Sequence, residues 1–300
     1  MASTQTFAPS LDSAEAYESV FVPALFEPWA RMLVDAAGVG PGDRILDVAC
    51  GTGIVARIAA DRVGAGGSVV GLDRNPAMLA VAERLRPDIE WREGNASGLP
   101  FLARSFDVVL CQSALMFFAD PRKALGEMAR AIKDDGTVAI QVWDRLDDQP
   151  GYRPFIDVVA RAGGKDATEL LSSSFSRGDR FELHGLLRAG GLWPTATRTE
   201  STNRRFGSVD EFVMTEVQST PLGERLTSDV LARIIEGSRE ALHAFTSADG
   251  TLDIPIRGHV IAATLRARHI RGARRIHAGT VARYGSVDQA RSTSGWSTTR

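Results

Sequence analysis

Asp43-Arg-Ile-Leu-Asp-Val-Ala-Cys-Gly-Thr-Gly-Ile-Val-Ala56 is the stretch on which the fold turns. Ile45 to Val48 is β-branched and aliphatic and runs into small residues, which predicts a short buried strand. Gly51 and Gly53 follow as a tight turn, where backbone without Cβ atoms lets a ligand approach closely. From Ile54 the spacing is helical, with Ile54, Val55, Ile58 and Ala59 on one face and Gly64 as the stop. Strand, glycine turn and helix N-terminus together make a nucleotide-binding βα corner.

Which nucleotide is decided by two carboxylates. Gly51-Thr-Gly53-Ile-Val-Ala56 meets the G-x-G-x-x-G/A spacing, which alone is a weak dinucleotide signal. Asp47, just before the turn, would repel a pyrophosphate but suits a cationic amine. Asp73 lies 20 residues past Gly53, after the apolar run Ser68-Val-Val-Gly-Leu72, where an acid accepts hydrogen bonds from both ribose hydroxyls. A ribose plus an ammonium, with no phosphate required, describes S-adenosylmethionine.

Further motifs stand in a fixed order. After Leu46-Asp-Val-Ala-Cys-Gly-Thr-Gly53 come Val70-Gly-Leu-Asp-Arg-Asn-Pro-Ala-Met-Leu79, then Glu93-Gly-Asn-Ala96 with Leu99-Pro-Phe101, then Ser105-Phe-Asp-Val-Val109. In that order, over roughly residues 15 to 145, they resemble class I S-adenosylmethionine-dependent methyltransferases, most closely the UbiE-like small-molecule branch. The resemblance implies an α/β fold: a doubly wound, mostly parallel seven-stranded sheet of the Rossmann-like methyltransferase kind, with N-terminal helices and helical cap insertions. It places Asp47, Ala49, Gly51, Gly53, Asp73, Arg74, Met78, Asn95, Ala96 and Gln112 on the cofactor. In relatives the residue matching Asn95 is usually an aspartate that accepts from the adenine amino group; an asparagine carbonyl also accepts that bond. The loop from Gln112 to Phe118 faces the methionine part and the acceptor in such enzymes, and N-terminal helices cover the cleft.

Composition narrows the partners. The chain has 300 residues, 44% of them hydrophobic, and a formal charge of −2, so nothing pulls it as a whole toward nucleic acid or an anionic membrane. Two cysteines, Cys50 and Cys111, suit a reduced, cytoplasmic setting without disulfides. No signal peptide is read at the N-terminus, and no apolar run approaches the ~20 residues of a membrane helix. The histidines match no metal-ligand spacing, so no metal is expected. The arginines from Arg266 to Arg283 are read as a solvated, flexible end, and a monomer or homodimer is expected.

Along the chain, Ser13 caps a first helix that Pro23 interrupts, and Leu25, Phe26, Trp29, Leu33 and Val34 continue an apolar stripe to Gly38. Helices are expected after Asn75-Pro76 and from Pro121 to Ile132, with strands at 89–93, 106–111 and 136–143. Beyond Trp143 we expect helices over 152–162 and 179–187, strand six over 195–202 and an antiparallel strand seven over 259–265. The organisation is then an N-terminal cap (1–37), a cofactor-binding core (38–145), the rest of the sheet with substrate-cap insertions (146–268, the insertions being 146–178 and 203–258), and a basic tail (269–300).

The expected function is methyl transfer, to oxygen, nitrogen or carbon, onto a small and largely apolar acceptor, of the sort found in secondary metabolism. Tyr17, Met116, Phe117, Phe155 and Phe212 are the candidate acceptor-lining residues. No general base is identified; His259, at the start of the antiparallel strand, and Tyr17 are the candidates. Two other readings stay open: a nicotinamide-dependent oxidoreductase on the glycine spacing, and a non-catalytic S-adenosylmethionine sensor.

Overall fold

The computed structural model describes residues 10–266 apart from 219 and 221. The expected basic tail, 269–300, lies outside the described residues.

A short α1 (Leu11–Ala16), capped by Ser10, runs into a π-helical segment, Tyr17–Phe26. Pro23 sits inside that segment, where its missing N–H leaves a gap in the ladder. α2 (Glu27–Ala37) follows and ends at Gly38, whose φ of 71° is the left-handed stop glycine adopts without strain. The core then alternates β1 (Arg44–Val48), α3 (Ile54–Val63), β2 (Ser68–Asp73), α4 (Pro76–Leu85), β3 (Glu90–Glu93), β4 (Phe106–Gln112), α5 (Pro121–Ala131) and β5 (Ile132–Trp143). Asn75 and Asp120 cap α4 and α5, each ahead of a proline at the first helical position.

Beyond β5 come α6 (Tyr152–Ser172), kinked at Gly164, and α7 (Arg180–Ala189), capped by Asp179. β6 (Leu192–Phe206), α8 (Val209–Gln218), α9 (Leu222–Arg225), α10 (Ser228–Ala241) and β7 (Leu252–Leu265) complete the described chain. One seven-stranded sheet has the order β3-β2-β1-β4-β5-β7-β6. Its first five strands pair in parallel, and β7 pairs antiparallel with both β5 and β6. The strand order reverses between β1 and β4, which on such sheets is where a ligand crevice opens.

Two cores cover the two faces. On one, Trp29 and Leu33 of α2 pack with Ile45, Leu110 and Trp143; on the other, Leu125 and Met128 of α5 and Leu187 of α7 pack with Leu46, Val109 and Ile140. Trp29 has no exposed surface, stands edge-on to Trp143 at 5.3 Å, and donates from Nε1 to Thr202 Oγ1 at 2.8 Å.

Strands six and seven run further than the sequence reading placed them. β6 continues to Phe206, and β7 begins at Leu252, so the ends of the expected 203–258 insertion are a two-stranded ribbon reaching past the end of β5. Thr202, Arg204 and Phe206 pair there with Ile256, Ile254 and Leu252. The alternation of Leu252, Ile254 and Ile256 with Asp253, Pro255 and Arg257 was the available signal. The helical part of this insertion is α8 to α10, which packs against α6.

Candidate active site

Asp47 stands one residue before the end of β1, with no exposed surface. The Ala56 N–H, in the first turn of α3, donates to its Oδ2 at 3.0 Å. Oδ1 is buried and meets no hydrogen-bond donor among the described residues; neither does Thr52 Oγ1 in the adjoining turn. Burial pushes the Asp47 carboxyl up to about 7, against the pull of the Ala56 N–H and with a further push from Asp73.

Asp73 closes β2 beside it. The Gly51 N–H donates to Oδ2 at 2.9 Å and the Asn75 N–H to Oδ1 at 2.8 Å, and the Arg74 N–H also points to this carboxylate. Burial holds this carboxyl above its ordinary range in spite of those bonds. Between the two acids the turn is wound tightly: Ala49, Gly51 and Gly53 have φ of 58°, 56° and 88°. Ala49 adopts this left-handed backbone without being glycine, the kind of strain that collects at functional sites.

The two glycines of the turn do different work. A Cβ on Gly51 would point toward Tyr17, 4.0 Å from its Cε1, whereas one on Gly53 would fall 2.3 Å from Trp91 Cη2. Trp91 also fills the space beside Gly71, its partner in the β2–β3 ladder. Sequence reasoning missed Trp91, although a glycine inside an aliphatic strand marks a close approach.

The π-helical segment lies over the turn. Tyr17 stacks on Phe26 at 5.1 Å and on Phe21 at 6.1 Å. Burial, Asp73, Glu18 and Asp47 all push its phenol up, so it keeps its proton at neutral pH. Glu18 pairs with Arg57 of α3 at 2.7 Å, and Gln112 at the end of β4 donates from Nε2 to Phe26 O at 2.8 Å. Glu18 and Arg57 were also missed, because nothing local in either helix signals a pair 39 residues apart.

The other predicted residues divide. Arg74 is exposed, Met78 half-buried and Ala96 buried, all just beyond the ends of β2 and β3. Asn95 is exposed, and its Oδ1 accepts the Ser97 N–H at 2.8 Å. Met116 is half-buried, while Phe117 is 60% exposed. Phe155 and Phe212 have no exposed surface: their rings meet edge-on at 4.9 Å, and Tyr152 and Phe206 also pack on Phe212. They form the core of the cap and do not line a cleft. His259 is likewise not brought to the glycine turn. It is buried, with Nδ1 at 2.9 Å from Thr199 Oγ1 and Nε2 at 2.9 Å from Gly178 O and 3.0 Å from Asp144 Oδ1. Both ring nitrogens are occupied, Nδ1 within the β6–β7 ladder and Nε2 in tethering the first insertion to the sheet.

Cys50 and Cys111 are buried, and burial with the nearby acids pushes both thiols up, so neither is a nucleophile at neutral pH. Among the described residues no group of three or more His, Cys, Asp or Glu could hold a metal ion, and no helix is long and apolar enough to cross a membrane.

Two acids at adjoining strand ends, a strained turn between them and a helix over the top are the geometry to set against known proteins. Residues 46–140 match the family described as methyltransferase domain. That match covers about a third of the chain. It is similar to the demethylmenaquinone methyltransferase of Renibacterium salmoninarum, 42% identical over 127 residues, covering 42% of this chain and 51% of that protein. The 2-phytyl-1,4-naphtoquinone methyltransferase of Thermosynechococcus vestitus is 39% identical over 119 residues, covering 39% and 53%. The chain thus spans about half the length of the curated relatives it matches. In structure it is similar to the YcgJ protein of Bacillus subtilis, with a TM-score of 0.55 at 21% identity over 80% of this chain and 98% of that one. The sheet therefore has the Rossmann-like methyltransferase fold expected of it, with Asp47 and Asp73 at adjoining strand ends.

Proposed function

We propose that this chain transfers a methyl group from S-adenosylmethionine to a small, largely apolar acceptor. The observation that carries the reading is the orphaned Asp47 Oδ1: a buried, acceptor-only atom beside the glycine turn, for which a cationic amine is the fitting partner. Asp73 is the acceptor for the ribose hydroxyls in this reading, and Gly51 leaves its backbone clear for the methionine portion. Arg74, Met78, Asn95 and Ala96 flank the adenine side in this reading; the second lone pair of Asn95 Oδ1 is what would accept there.

When bound, S-adenosylmethionine supplies a methyl group activated by its sulfonium. The chain's own part is alignment and water exclusion. Tyr17, Phe21 and Phe26 shut the turn from above, Gln112 ties Phe26 to β4, and Tyr17 holds a proton with which to donate. In this reading residues 10–37 are a lid, and α6 with α8 to α10 cap the acceptor side. Relatives named for demethylmenaquinone and for phytyl-naphthoquinone support a flat apolar acceptor. We place the enzyme in the cytoplasm, as a monomer or homodimer.

Calorimetry with S-adenosylmethionine and with NAD, followed by transfer of a labelled methyl group to a panel of phenols, quinols and amines, tests the proposal. Binding of the first ligand and labelling of a small acceptor are expected. Binding of NAD alone would return the chain to the oxidoreductases, and tight S-adenosylmethionine binding without turnover on any acceptor would make it a sensor.

A further inference from the structure

β5 is aliphatic from Val138 to Trp143 except at Gln141, which has no exposed surface. Its amide is held at one end only. Ser113 Oγ donates to Gln141 Oε1, and the Ser113 N–H donates to Gln141 O at 2.9 Å. The Gln141 Nε2 has no partner among the described residues. Ser113 itself has φ of 49°, a left-handed backbone at a residue that is not glycine, so the loop is bent to present its hydroxyl here.

The position of this orphan amide is informative. Asp47 is level with Leu110, and Leu110 with Ala139, so Gln141 lies one pleat beyond the level of Asp47, toward the carboxyl ends of the strands. β5 is two strands from β1, roughly 10 Å to the side. Gln141 shares the face of Trp143 and is in register with Gln112, whose own amide binds the lid at Phe26 O. The rings of Phe26 and Trp143 are 6.4 Å apart. An apolar wall with one unpaired N–H₂ group beneath a tied-down lid has the composition of a pocket that orients an apolar body by one polar contact. A buried amide left unpaired is costly, and a fold keeps one where something else completes it.

We infer that Gln141 is a specificity-determining residue of the acceptor site, and that its amide donates to a hydroxyl or carbonyl oxygen on an otherwise apolar acceptor. The inference rests on the methyl-transfer reading. Lifting the lid would break the Gln112–Phe26 bond, made by the residue in register with Gln141.

The test uses the full chain with S-adenosylhomocysteine bound, and compares 2-naphthol with its isostere 2-methylnaphthalene as probes. Wild type is expected to favour 2-naphthol by about tenfold, the worth of one buried hydrogen bond. Gln141→Met should erase that preference, leave S-adenosylhomocysteine affinity unchanged and raise Tm, because the unpaired amide is gone. Gln141→Leu, which puts no polar atom in place of the amide, should also lose the preference. A Gln141→Met variant that keeps the preference, or a wild type with none, overturns the inference. A Gln141→Met variant with a lowered Tm and an intact preference would make the amide structural. Failure of wild type to bind S-adenosylhomocysteine would instead remove the methyl-transfer reading beneath it.

Discussion

Asp47 ties the candidate site to pH. Its carboxyl titrates near 7 in the folded chain, against about 4 when unfolded. Between those values the folded state holds a proton that the unfolded state has released, so this residue lowers stability as pH rises through that window and no further above it. A cationic ligand needs the ionised form. Affinity for S-adenosylmethionine should therefore rise by about tenfold per pH unit from 5 to 7 and level off above, with proton release on binding at pH 6. Calorimetry in buffers of different ionisation enthalpy reads this directly; a flat affinity would remove Asp47 from the site. Asp47→Asn should flatten the profile, weaken binding, and stabilise the free protein at pH 8 by on the order of 4 kcal/mol. For Asp73→Ala, which removes the anchor of the Gly51 N–H together with the ribose acceptor, a loss of ~2–4 kcal/mol of cofactor binding is expected. Wild-type affinity in that variant would refute the assignment.

At the scale of elements, the β1–α3 corner depends on a strand it does not touch in sequence. Gly53→Ala meets a left-handed φ of 88° and the Trp91 ring at once. The backbone part alone costs about 1–2 kcal/mol, and the clash adds to it. In a double-mutant cycle, Trp91→Leu should relieve the clash and leave the backbone part, measured by urea unfolding. Purely additive effects would show that the ring moves aside freely. The lid rests on weaker ties. The Glu15–Arg84 pair is exposed and contributes little, whereas Glu18 and Arg57 are each less than one-fifth exposed. Clefts of about 580 and 410 Å³ open on either side of Glu18, so the lid edge has few apolar contacts there. Glu18→Ala should speed hydrogen exchange over residues 17–26 by roughly tenfold without lowering global stability to match. Unchanged exchange would mean that stacking on Tyr17 and Phe26 holds the lid by itself.

For the whole molecule, α6 and α8 to α10 share one hydrophobic core with α2 and the sheet. Phe155 and Phe212 have no exposed surface, so Phe212→Ala should cost ~3–5 kcal/mol of stability as a cavity substitution. An acceptor-lining residue would instead raise KM and leave Tm in place. Arg204 joins this core to the N-terminal segment: it is buried, pairs with Glu216, donates to the Tyr152 hydroxyl, and lies 5.7 Å from the Phe21 ring centroid. Cap and lid are expected to gain exchange protection together when cofactor and acceptor are bound.

What the sequence determined by itself is local and periodic. The aliphatic run before Gly51, the turn glycines, and Asp73 one βα unit later were legible because strand, turn and helix each leave a short-range pattern, and because parallel strands bring their carboxyl ends to one edge. Only the tertiary structure decided which residues stand beside them. That Trp91 fills the space at Gly53, that Phe155 is core and not lining, that both nitrogens of His259 are occupied, and that Gln141 keeps an unpaired amide all depend on contacts between segments distant in the chain. A phenylalanine reads the same in a sequence whether it faces a ligand or another phenylalanine, since both burials draw on the same hydrophobic term; the packing alone separates them.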